Sequence, residues 1–490
     1  MSIRIEDWLE RQNRRPVLWL AIFALPLAAQ ISGWWLPTPD SVAYLSIARS
    51  IANGHGLRDL GYTHLAYPPG YPLLISAAFL ISPIPFIAIS VMQWLMAVIL
   101  MLGVYRWSSQ RAQPAALLLT GIVMANVSLW IYYHRTLSEL AFMTVMIWTV
   151  VALNGGIEAR APNRRVIQIV AGTALLAMLA MIREVGILFG AGFLMAIGFA
   201  VGSGKVKWRD ALWMAAAVII PGAAGVAAFM MYDQATVRAA HAGAVLGTHL
   251  SGFTGPAGPL AARAIEGIRL QISAVGRLVV PGMFKAYGHR WLDINVAVYA
   301  AVFGLVVSGW WRCVRRDQDV YAITFPIYFA MYALWGFDAD TRYLLPMLPL
   351  IVVSLWRMME PYGSWRLMGL AAIAVLHFAV ASGYWAMVEI PRGRECNSQW
   401  EQASRLADGL RNRPGMIFAD GDVPECARLM LSFLLDRAVI DGRINPAGID
   451  GARWVVASAN NQRVDGFGTE AEAGGCKILG RIQATPVTAR

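Results

Sequence analysis

The sequence predicts a polytopic α-helical membrane protein with a small α/β segment at its carboxyl end. Of its 490 residues, 57% are hydrophobic and only 14% are charged, whereas a typical soluble protein carries about 25% charged residues. Most of the hydrophobic residues fall in runs of about 20, the length that an α-helix needs to cross a bilayer. After the last of these runs, short β-type stretches alternate with polar ones.

Apolar runs long enough to cross a membrane predict about eleven transmembrane helices. They lie near residues 17–36, 84–105, 114–132, 138–153, 166–182, 186–202, 211–232, 293–311, 319–336, 343–357 and 366–388. A further apolar stretch at 71–82 is interpreted as the return of the first loop to the membrane. A Ser-Pro-Ile-Pro sequence at 82–85 separates it from the second run.

Basic residues support this count and orient the chain. Arginine or lysine occurs in the amino-terminal segment and in every second loop after it, and such loops face the cytoplasm in most membrane proteins. The net charge of +11 is thereby explained by topology, so no nucleic-acid partner is expected. The amino terminus is predicted to be cytoplasmic. The first loop (37–82), a long loop (233–292) and the carboxyl-terminal segment (389–490) then lie on the periplasmic or external side.

The first loop contains the most informative pattern. Asp40 follows Pro39 at a position typical of a helix N-cap. Apolar residues then recur at helical spacing until an Asn-Gly pair at 53–54 ends the pattern. This predicts a short amphipathic helix that lies on the membrane surface. A Tyr-Pro-Pro-Gly turn at 67–70 leads the chain back to the bilayer.

The long loop and the carboxyl-terminal segment have patterns of their own. A second amphipathic surface helix is predicted at 260–279, and the cationic residues Lys285, His289 and Arg290 follow it. In the carboxyl-terminal segment a helix is predicted at 397–412. Four short strands are predicted at 416–420, 438–440, 453–458 and 476–482. We therefore expect a transmembrane domain, 1–388, and a small α/β domain, 389–490.

The four cysteines fit this arrangement. Cys396, Cys426 and Cys476 lie in the predicted external domain, where an oxidising compartment permits one disulfide among them. Which pair forms it cannot be read from the spacing. Cys313 lies at the cytoplasmic end of a predicted span and is expected to be a free thiol.

The first loop resembles that of the GT-C glycosyltransferases. The resemblance rests on Asp40 at the membrane exit, on the helix that ends in Asn-Gly-x-Gly, and on the Pro-Pro turn, and it covers most of residues 17–360. The chain is most similar to the branch that uses polyprenyl-phosphate sugars. That branch includes the protein O-mannosyltransferases and the lipid A aminoarabinose transferases.

The resemblance implies a GT-C fold and a function. The enzyme would transfer a sugar, with inversion, from a polyprenyl-phosphate carrier to an envelope glycan, lipid or protein. The reaction would take place on the periplasmic or external face of a bacterial inner membrane. Asp40 would be the general base, because the catalytic aspartate of these enzymes occupies this place. On local sequence alone, Asp40 would instead be an N-cap.

Further site candidates are charged residues close to the predicted outer ends of the spans. Ser138-Glu139 opens the fourth span and matches a pair often seen in the family. Glu139 could bind acceptor, sugar or metal, or could simply favour the helix amino terminus. Arg183-Glu184 interrupts an apolar run, where the two charges could contact substrate or neutralise each other.

Cations are needed to bind the donor phosphate and to stabilise it as a leaving group. Arg342-Tyr343 recurs in this family before a late span, although Asp338 or Asp340 could pair with Arg342 instead. Arg183 and Lys285 are further candidates for the leaving group. Candidates for phosphate binding in general are Arg58, His289 and Arg290.

Two positions depart from the family. Tyr67, a substrate-binding candidate, stands where the aminoarabinose transferases have a lysine implicated in donor phosphate binding. Asp40 is followed by Ser41, and not by the second acidic residue of the protein mannosyltransferases. A divalent metal stays possible, but a site built on an acidic pair is not expected, and no zinc-ligand spacing occurs.

Three alternative functions stay open on the sequence. A transporter or flippase of lipid-linked sugars would need charges along a route through the spans, and few are present. A non-catalytic scaffold with a GT-C-like fold would tolerate loss of the Asp40 carboxylate. A ligase that transfers a whole oligosaccharide from a diphosphate carrier would need the same base and cations as a transferase of single sugars.

Overall fold

The computed structural model is mostly helical. It describes residues 11–13, 15–63, 67–237, 260–281, 292–334, 341–363, 365–420, 423–441, 453–458, 467–473 and 476–481. The first nine helices are α1 (Pro16–Ala28), α2 (Pro39–Ala52), α3 (Gly70–Phe79), α4 (Phe86–Arg111), α5 (Ala116–Ala125), α6 (Val127–Tyr133), α7 (Glu139–Glu158), α8 (Pro162–Ile182) and α9 (Ile187–Gly202). A two-stranded hairpin, β1 (Arg58–Asp59) and β2 (Tyr62–Thr63), follows α2.

The second half of the chain continues the bundle and ends in a sheet. Its helices are α10 (Trp208–Val237), α11 (Leu260–Val279), α12 (Leu292–Asp317), α13 (Val320–Leu334), α14 (Thr341–Leu344), α15 (Leu348–Met358), α16 (Trp365–Tyr384), α17 (Ile390–Leu410) and α18 (Glu425–Leu435). Its strands are β3 (Ile417–Ala419), β4 (Val439–Asp441), β5 (Trp454–Ser458), β6 (Phe467–Ala473) and β7 (Cys476–Arg481).

The helices agree with a multi-pass membrane protein. Among the described residues, 6 helices are long and apolar enough to cross a bilayer, or 7 if the bent pair α5 and α6 forms one span. The bend of 54° lies at Asn126, whose side chain caps α6 and donates to the Leu278 carbonyl oxygen at 2.8 Å. Every predicted run contains a helix, but several of these helices are short. The count of eleven spans stays a prediction.

α2 begins with a cap that the sequence reading missed. The Thr38 hydroxyl accepts from the Ser41 amide at 3.1 Å, and the Ser41 hydroxyl accepts from the Thr38 amide at 2.8 Å. This reciprocal capping box makes Thr38 the N-cap. The interpretation of Asp40 as the N-cap is therefore wrong, and its carboxylate makes other contacts. As predicted, the helix ends at the Asn-Gly pair.

α2 is more enclosed than a helix lying on a membrane surface. Every side chain from Ser41 to Ala48 is buried, because α3 packs on the helix from one direction and α18 also contacts it. The expected amphipathic pattern with one exposed face is not observed. The second predicted surface helix, α11, has the predicted bounds and packs against α12 and α13.

The carboxyl-terminal strands form one five-stranded sheet in the order β4-β3-β5-β7-β6. β3 is parallel to β4 and β5, whereas β7 is antiparallel to β5 and β6. The four predicted strands are present. β6 was not predicted because its sequence, FGTEAEA, has few of the β-branched and aromatic residues that favour strands. It lies at the edge of the sheet, where packing demands are weaker.

The connection between bundle and sheet is one continuous helix. α16, a π-helical turn at Trp385–Glu389 and α17 run without interruption from Trp365 to Leu410. The predicted domain boundary at 388/389 falls within this helix, and the division into two domains stays a prediction. A disulfide joins Cys396 on α17 to Cys426 on α18. Cys313 and Cys476 are buried free thiols.

Candidate active site

Four charged side chains from distant parts of the chain meet near the start of α7. Asp40 Oδ2 accepts from Arg342 Nη1 at 2.9 Å, and Glu139 Oε1 accepts from Arg183 Nη1 at 2.7 Å. Tyr343 links the two ion pairs. Its hydroxyl accepts from Arg342 Nη2 at 2.8 Å, and its ring centroid lies 5.5 Å from the Arg183 guanidinium carbon.

We call this set, with the tyrosine that bonds Asp40, the site cluster. It comprises Asp40, Tyr67, Glu139, Arg183, Arg342 and Tyr343. The arginines and Asp40 are partly exposed, with 16% to 27% of their side-chain surface accessible, whereas Glu139 is almost fully buried. Asp40 and Arg342 therefore lie at the open side of the cluster, where a substrate can reach them.

Helix ends favour the charge of these side chains. Asp40 is in the first turn of α2 and Glu139 is the first residue of α7, so each carboxylate lies at the positive end of a helix dipole. Arg183 is the C-cap of α8, at the negative end. The end of α8 packs closely on the start of α3. A Cβ atom at Gly70 would lie 2.7 Å from the Met181 carbonyl group, so only glycine fits there.

Tyr67 is a hydrogen-bond donor to the proposed base. Its hydroxyl donates to Asp40 Oδ1 at 2.8 Å. Burial raises the pKa of Tyr67 above its usual value, and the negative charge of Asp40 raises it further. The phenol therefore keeps its proton at neutral pH. The cation beside Asp40 is Arg342.

Three tyrosines that the sequence reading missed surround the cluster. The Tyr44 hydroxyl lies 3.3 Å from Ser138 Oγ, and its ring centroid is 5.0 Å from that of Tyr67. Tyr328 donates to the Tyr343 carbonyl oxygen at 2.8 Å, and the Tyr332 ring packs on Tyr343 at 5.1 Å. One signal was available, since Tyr44 follows Asp40 by four residues and so shares its helix face.

Glu139 has one oxygen that is free to bind. Oε1 holds Arg183, whereas Oε2 is buried and accepts no hydrogen bond within the described part of the chain. A buried acceptor without a donor is costly, so this oxygen suits a hydroxyl donor. No group of three His, Cys, Asp or Glu side chains in the described ranges could hold a metal ion.

The other predicted site residues are not in the cluster. Arg58 is exposed in β1. Glu184 is also exposed, and Arg183 pairs with Glu139, so the suggestion that Arg183 and Glu184 neutralise each other is wrong. Arg342 pairs with Asp40. Five other named candidates lie outside the described residues. They are Lys285, His289, Arg290, Asp338 and Asp340.

α18 holds the helix that carries Asp40 at two points. Asp436, just after α18, accepts from Arg49 Nη2 at 2.9 Å and from the Ser46 hydroxyl at 3.1 Å. Near the other end of α2, the Phe433 ring packs edge-on against Trp35 at 5.5 Å. Trp35 Nε1 in turn donates to the capping hydroxyl of Ser41 at 3.2 Å. The carboxyl-terminal segment therefore supports the site cluster.

No protein-family model matches the chain. No curated protein matches its sequence.

Solved structures do match. ArnT from Cupriavidus metallidurans bound to undecaprenyl phosphate gives a TM-score of 0.56 at 12% identity, over 96% of this chain and 98% of that one. Its apo form gives a TM-score of 0.54 at 13% identity, over 95% of this chain and 97% of that one. The oligosaccharyltransferase AglB from Archaeoglobus fulgidus, with an inhibitory peptide and a dolichol-phosphate, gives 0.54 at 12% identity, over 91% of this chain and 70% of that one. These are GT-C enzymes, and this chain has the GT-C fold.

Proposed function

We propose that this protein is an integral membrane glycosyltransferase that takes its sugar from a polyprenyl-phosphate carrier. The observation that carries the proposal is the 2.9 Å contact between Asp40 and Arg342. It puts a candidate base and a candidate phosphate-binding cation side by side within the GT-C fold. The undecaprenyl phosphate in the similar ArnT structure and the dolichol-phosphate in the similar AglB structure support a carrier of this class.

The proposed reaction is a single displacement. Asp40 takes the proton of an acceptor hydroxyl while the hydroxyl oxygen attacks the anomeric carbon of the sugar. The bond from this carbon to the phosphate oxygen breaks, and its electron pair leaves with the polyprenyl phosphate. Attack from the face opposite the phosphate inverts the anomeric configuration. Arg342, and Arg183 beyond Tyr343, stabilise the negative charge of the departing phosphate.

Donor binding would also prepare the base. In the structure Arg342 holds Asp40 Oδ2 and Tyr67 holds Oδ1, so both carboxylate oxygens are occupied by donors. A phosphate oxygen competes for the same guanidinium, because arginine binds phosphate and carboxylate in the same geometry. Arg342 would shift toward the phosphate of the sugar donor. Asp40 would then keep only the hydrogen bond from the neutral Tyr67 hydroxyl. Glu139 Oε2 would accept a hydrogen bond from a sugar or acceptor hydroxyl.

We infer that the site faces the periplasm or the exterior and that the protein lies in a bacterial inner membrane. α2 contacts α18, and α18 carries Cys426 of the disulfide. Disulfides persist mainly outside the cytoplasm, so the site cluster and the oxidising compartment share one side. The acceptor would be an envelope glycan, lipid or protein, and residues 389–490 would form a separate external domain.

A lipid analysis tests the proposal against its alternatives. Membranes with the wild-type protein or with Asp40→Asn are incubated with the lipid extract of the host, and polyprenyl-phosphate sugars and free polyprenyl phosphate are quantified by mass spectrometry. A transferase converts polyprenyl-phosphate sugars to free polyprenyl phosphate, and Asp40→Asn stops the conversion. A flippase moves the lipid but leaves it intact. An unchanged lipid profile in both membranes, with normal protein levels, would refute the proposal.

A further inference from the structure

A second polar cavity lies at the far end of α7. It has a volume of about 490 Å³, within the usual range of ligand pockets, and lies between the ends of α7, α9 and α12. α7 has 20 residues, so its ends are about 30 Å apart at 1.5 Å per residue. That distance matches the hydrocarbon thickness of a bilayer. Since Glu139 begins α7, the cavity lies at the membrane interface opposite the site cluster.

The two carboxylates in the wall of the cavity each hold an arginine. Glu158 Oε1 accepts from Arg111 Nη2 at 2.9 Å, and Arg111 Nε also donates to the buried Asp319 at 2.7 Å. Asp317 Oδ2 accepts from Arg357 Nη2 at 3.2 Å. Neither arginine lines the cavity. Arg357 offsets the charge of Asp317, whereas Glu158 shares the charge of Arg111 with Asp319.

The cations in the wall are not neutralised to the same extent. Arg160 and Lys205 are exposed, and neither forms an ion pair with a carboxylate in the part of the chain that the structure describes. Arg165 holds Asp210 at 2.5 Å and the Ala159 carbonyl oxygen at 2.8 Å. Its Nε atom, however, is buried and finds no acceptor among the described residues. The wall residues and their ion-pair partners thus carry one positive charge in excess, and the wall offers one unused donor.

We propose that this cavity binds the phosphate group of an anionic phospholipid in the leaflet at this end of the bundle. Basic pockets between transmembrane helices on the cytoplasmic side suit anionic headgroups, and the arginine-rich loops predict that this end is cytoplasmic. Ile157 and Ala200 give the wall an apolar part, as a ligand with both a headgroup and acyl chains requires. The proposal is independent of the reaction at Asp40.

Lipid binding to the purified full-length protein tests the proposal. Delipidated protein in detergent is titrated with dioleoyl phosphatidylglycerol or with dioleoyl phosphatidylcholine, and native mass spectrometry counts the bound lipid. We expect phosphatidylglycerol to bind more tightly, and the double variant Arg160→Gln/Lys205→Gln to weaken it at least tenfold. The control Lys207→Gln/Arg209→Gln removes the same charge from exposed neighbours outside the wall and should bind like the wild type.

Several outcomes would overturn the proposal. Equal losses in the test and control variants would mean a diffuse surface charge effect. Equal binding of the two lipids would mean that the phosphate charge is not recognised. Displacement of the lipid by millimolar inorganic phosphate would mean a site for free phosphate. If the double variant does not fold, Lys205→Gln alone is compared with Lys207→Gln by the same criteria.

Discussion

Asp40 shares its two carboxylate oxygens between a charged and a neutral donor. Arg342 holds Oδ2 at 2.9 Å and Tyr67 holds Oδ1 at 2.8 Å. The phosphate of the sugar donor would draw Arg342 away from Asp40. Tyr67 fixes the orientation of the carboxylate whether or not the phosphate is bound. Single substitutions should therefore separate orientation of the base from binding of the phosphate.

Tyr67→Phe should lower the rate of sugar transfer by about 10-fold to 100-fold and the free energy of unfolding by at most about 3 kcal/mol. It removes one hydrogen bond to a charged group, which contributes roughly 1.5–3 kcal/mol, and keeps the ring that packs on Tyr44. The rate is measured as release of polyprenyl phosphate. Tyr71→Phe is the control, because Tyr71 packs on Tyr44 but does not bond Asp40. Equal losses in both variants would contradict the specific role of Tyr67.

His134 should make the protein less stable in acid. Burial and, to a smaller extent, the positive charge of Arg135 lower the pKa of His134 to about 4. The folded state therefore keeps this imidazole neutral while the unfolded state protonates it as the pH falls below about 6.5. Stability is full above that pH and should fall by up to about 3 kcal/mol as the pH drops to 4. Thermal unfolding of His134→Gln at pH 7 and pH 4.5 should show a smaller acid effect than the wild type, and an equal effect would contradict the assignment.

At the scale of elements, α18 packs beside α2 and holds it in position. Phe433 is almost fully buried and contacts Trp35, Phe86 and Trp400, while the guanidinium of Arg49 lies 4.4 Å from its ring centroid. The ion pair of Arg49 with Asp436 is half exposed and contributes at most about 1 kcal/mol. Phe433 therefore links the carboxyl-terminal segment to Trp35, just before α2, and to Arg49 within it.

Phe433→Ala should destabilise the protein by about 3–5 kcal/mol and loosen α2 in particular. Hydrogen exchange followed by mass spectrometry should show faster exchange across residues 39–52. Phe418→Ala is a matched control, because Phe418 is as deeply buried but lies in the smaller core with Val455 and Leu479. If both variants change α2 equally, the effect is global and α18 has no special role in holding it.

The charged members of the cluster were predicted on two grounds. A charge within an apolar run is costly and rare, so Arg183 stands out, whereas Glu139 and Arg342 were also indicated by the family resemblance. Tyr328 and Tyr332 do not stand out, because a buried tyrosine in an apolar helix has the same pattern as a core aromatic. The partner of Arg183 could not be predicted either. Its neighbour Glu184 is one residue away, but the packing of α7 on α8 brings Glu139 to it.

At the scale of the whole molecule, the fold separates two polar regions by one membrane thickness. The site cluster lies at the start of α7 and the second cavity at its end. The predictions made from the sequence also agree best with the structure at this scale. The periodicity of apolar runs and of basic loops predicts the bundle, and the resemblance of the first loop to that of the GT-C glycosyltransferases implies the GT-C fold. The helix break at Asn126, whose side chain caps the next helix and also bonds Leu278, was not predicted from the sequence.

Orientation in the membrane gives a prediction at this scale. Glu184 and Lys205 are exposed residues that flank α9, so they should emerge on opposite faces. In intact cells, a membrane-impermeant maleimide should label Glu184→Cys, whereas Lys205→Cys should be labelled only after the membrane is opened. Cys313 and Cys476 are buried, and the unsubstituted protein provides the background. The reverse labelling pattern would put the site cluster on the cytoplasmic side.

The most direct test of the central claim compares the envelope of host cells that carry the wild-type protein, Asp40→Asn or Glu184→Gln. Both variants replace one carboxylate by an amide, but only Asp40 contacts Arg342 and Tyr67. With equal protein levels, mass spectrometry of envelope lipids and glycans should show that one sugar mass disappears in Asp40→Asn and persists in Glu184→Gln. An unchanged envelope in Asp40→Asn would contradict the account and make Asp40 a structural partner of Arg342.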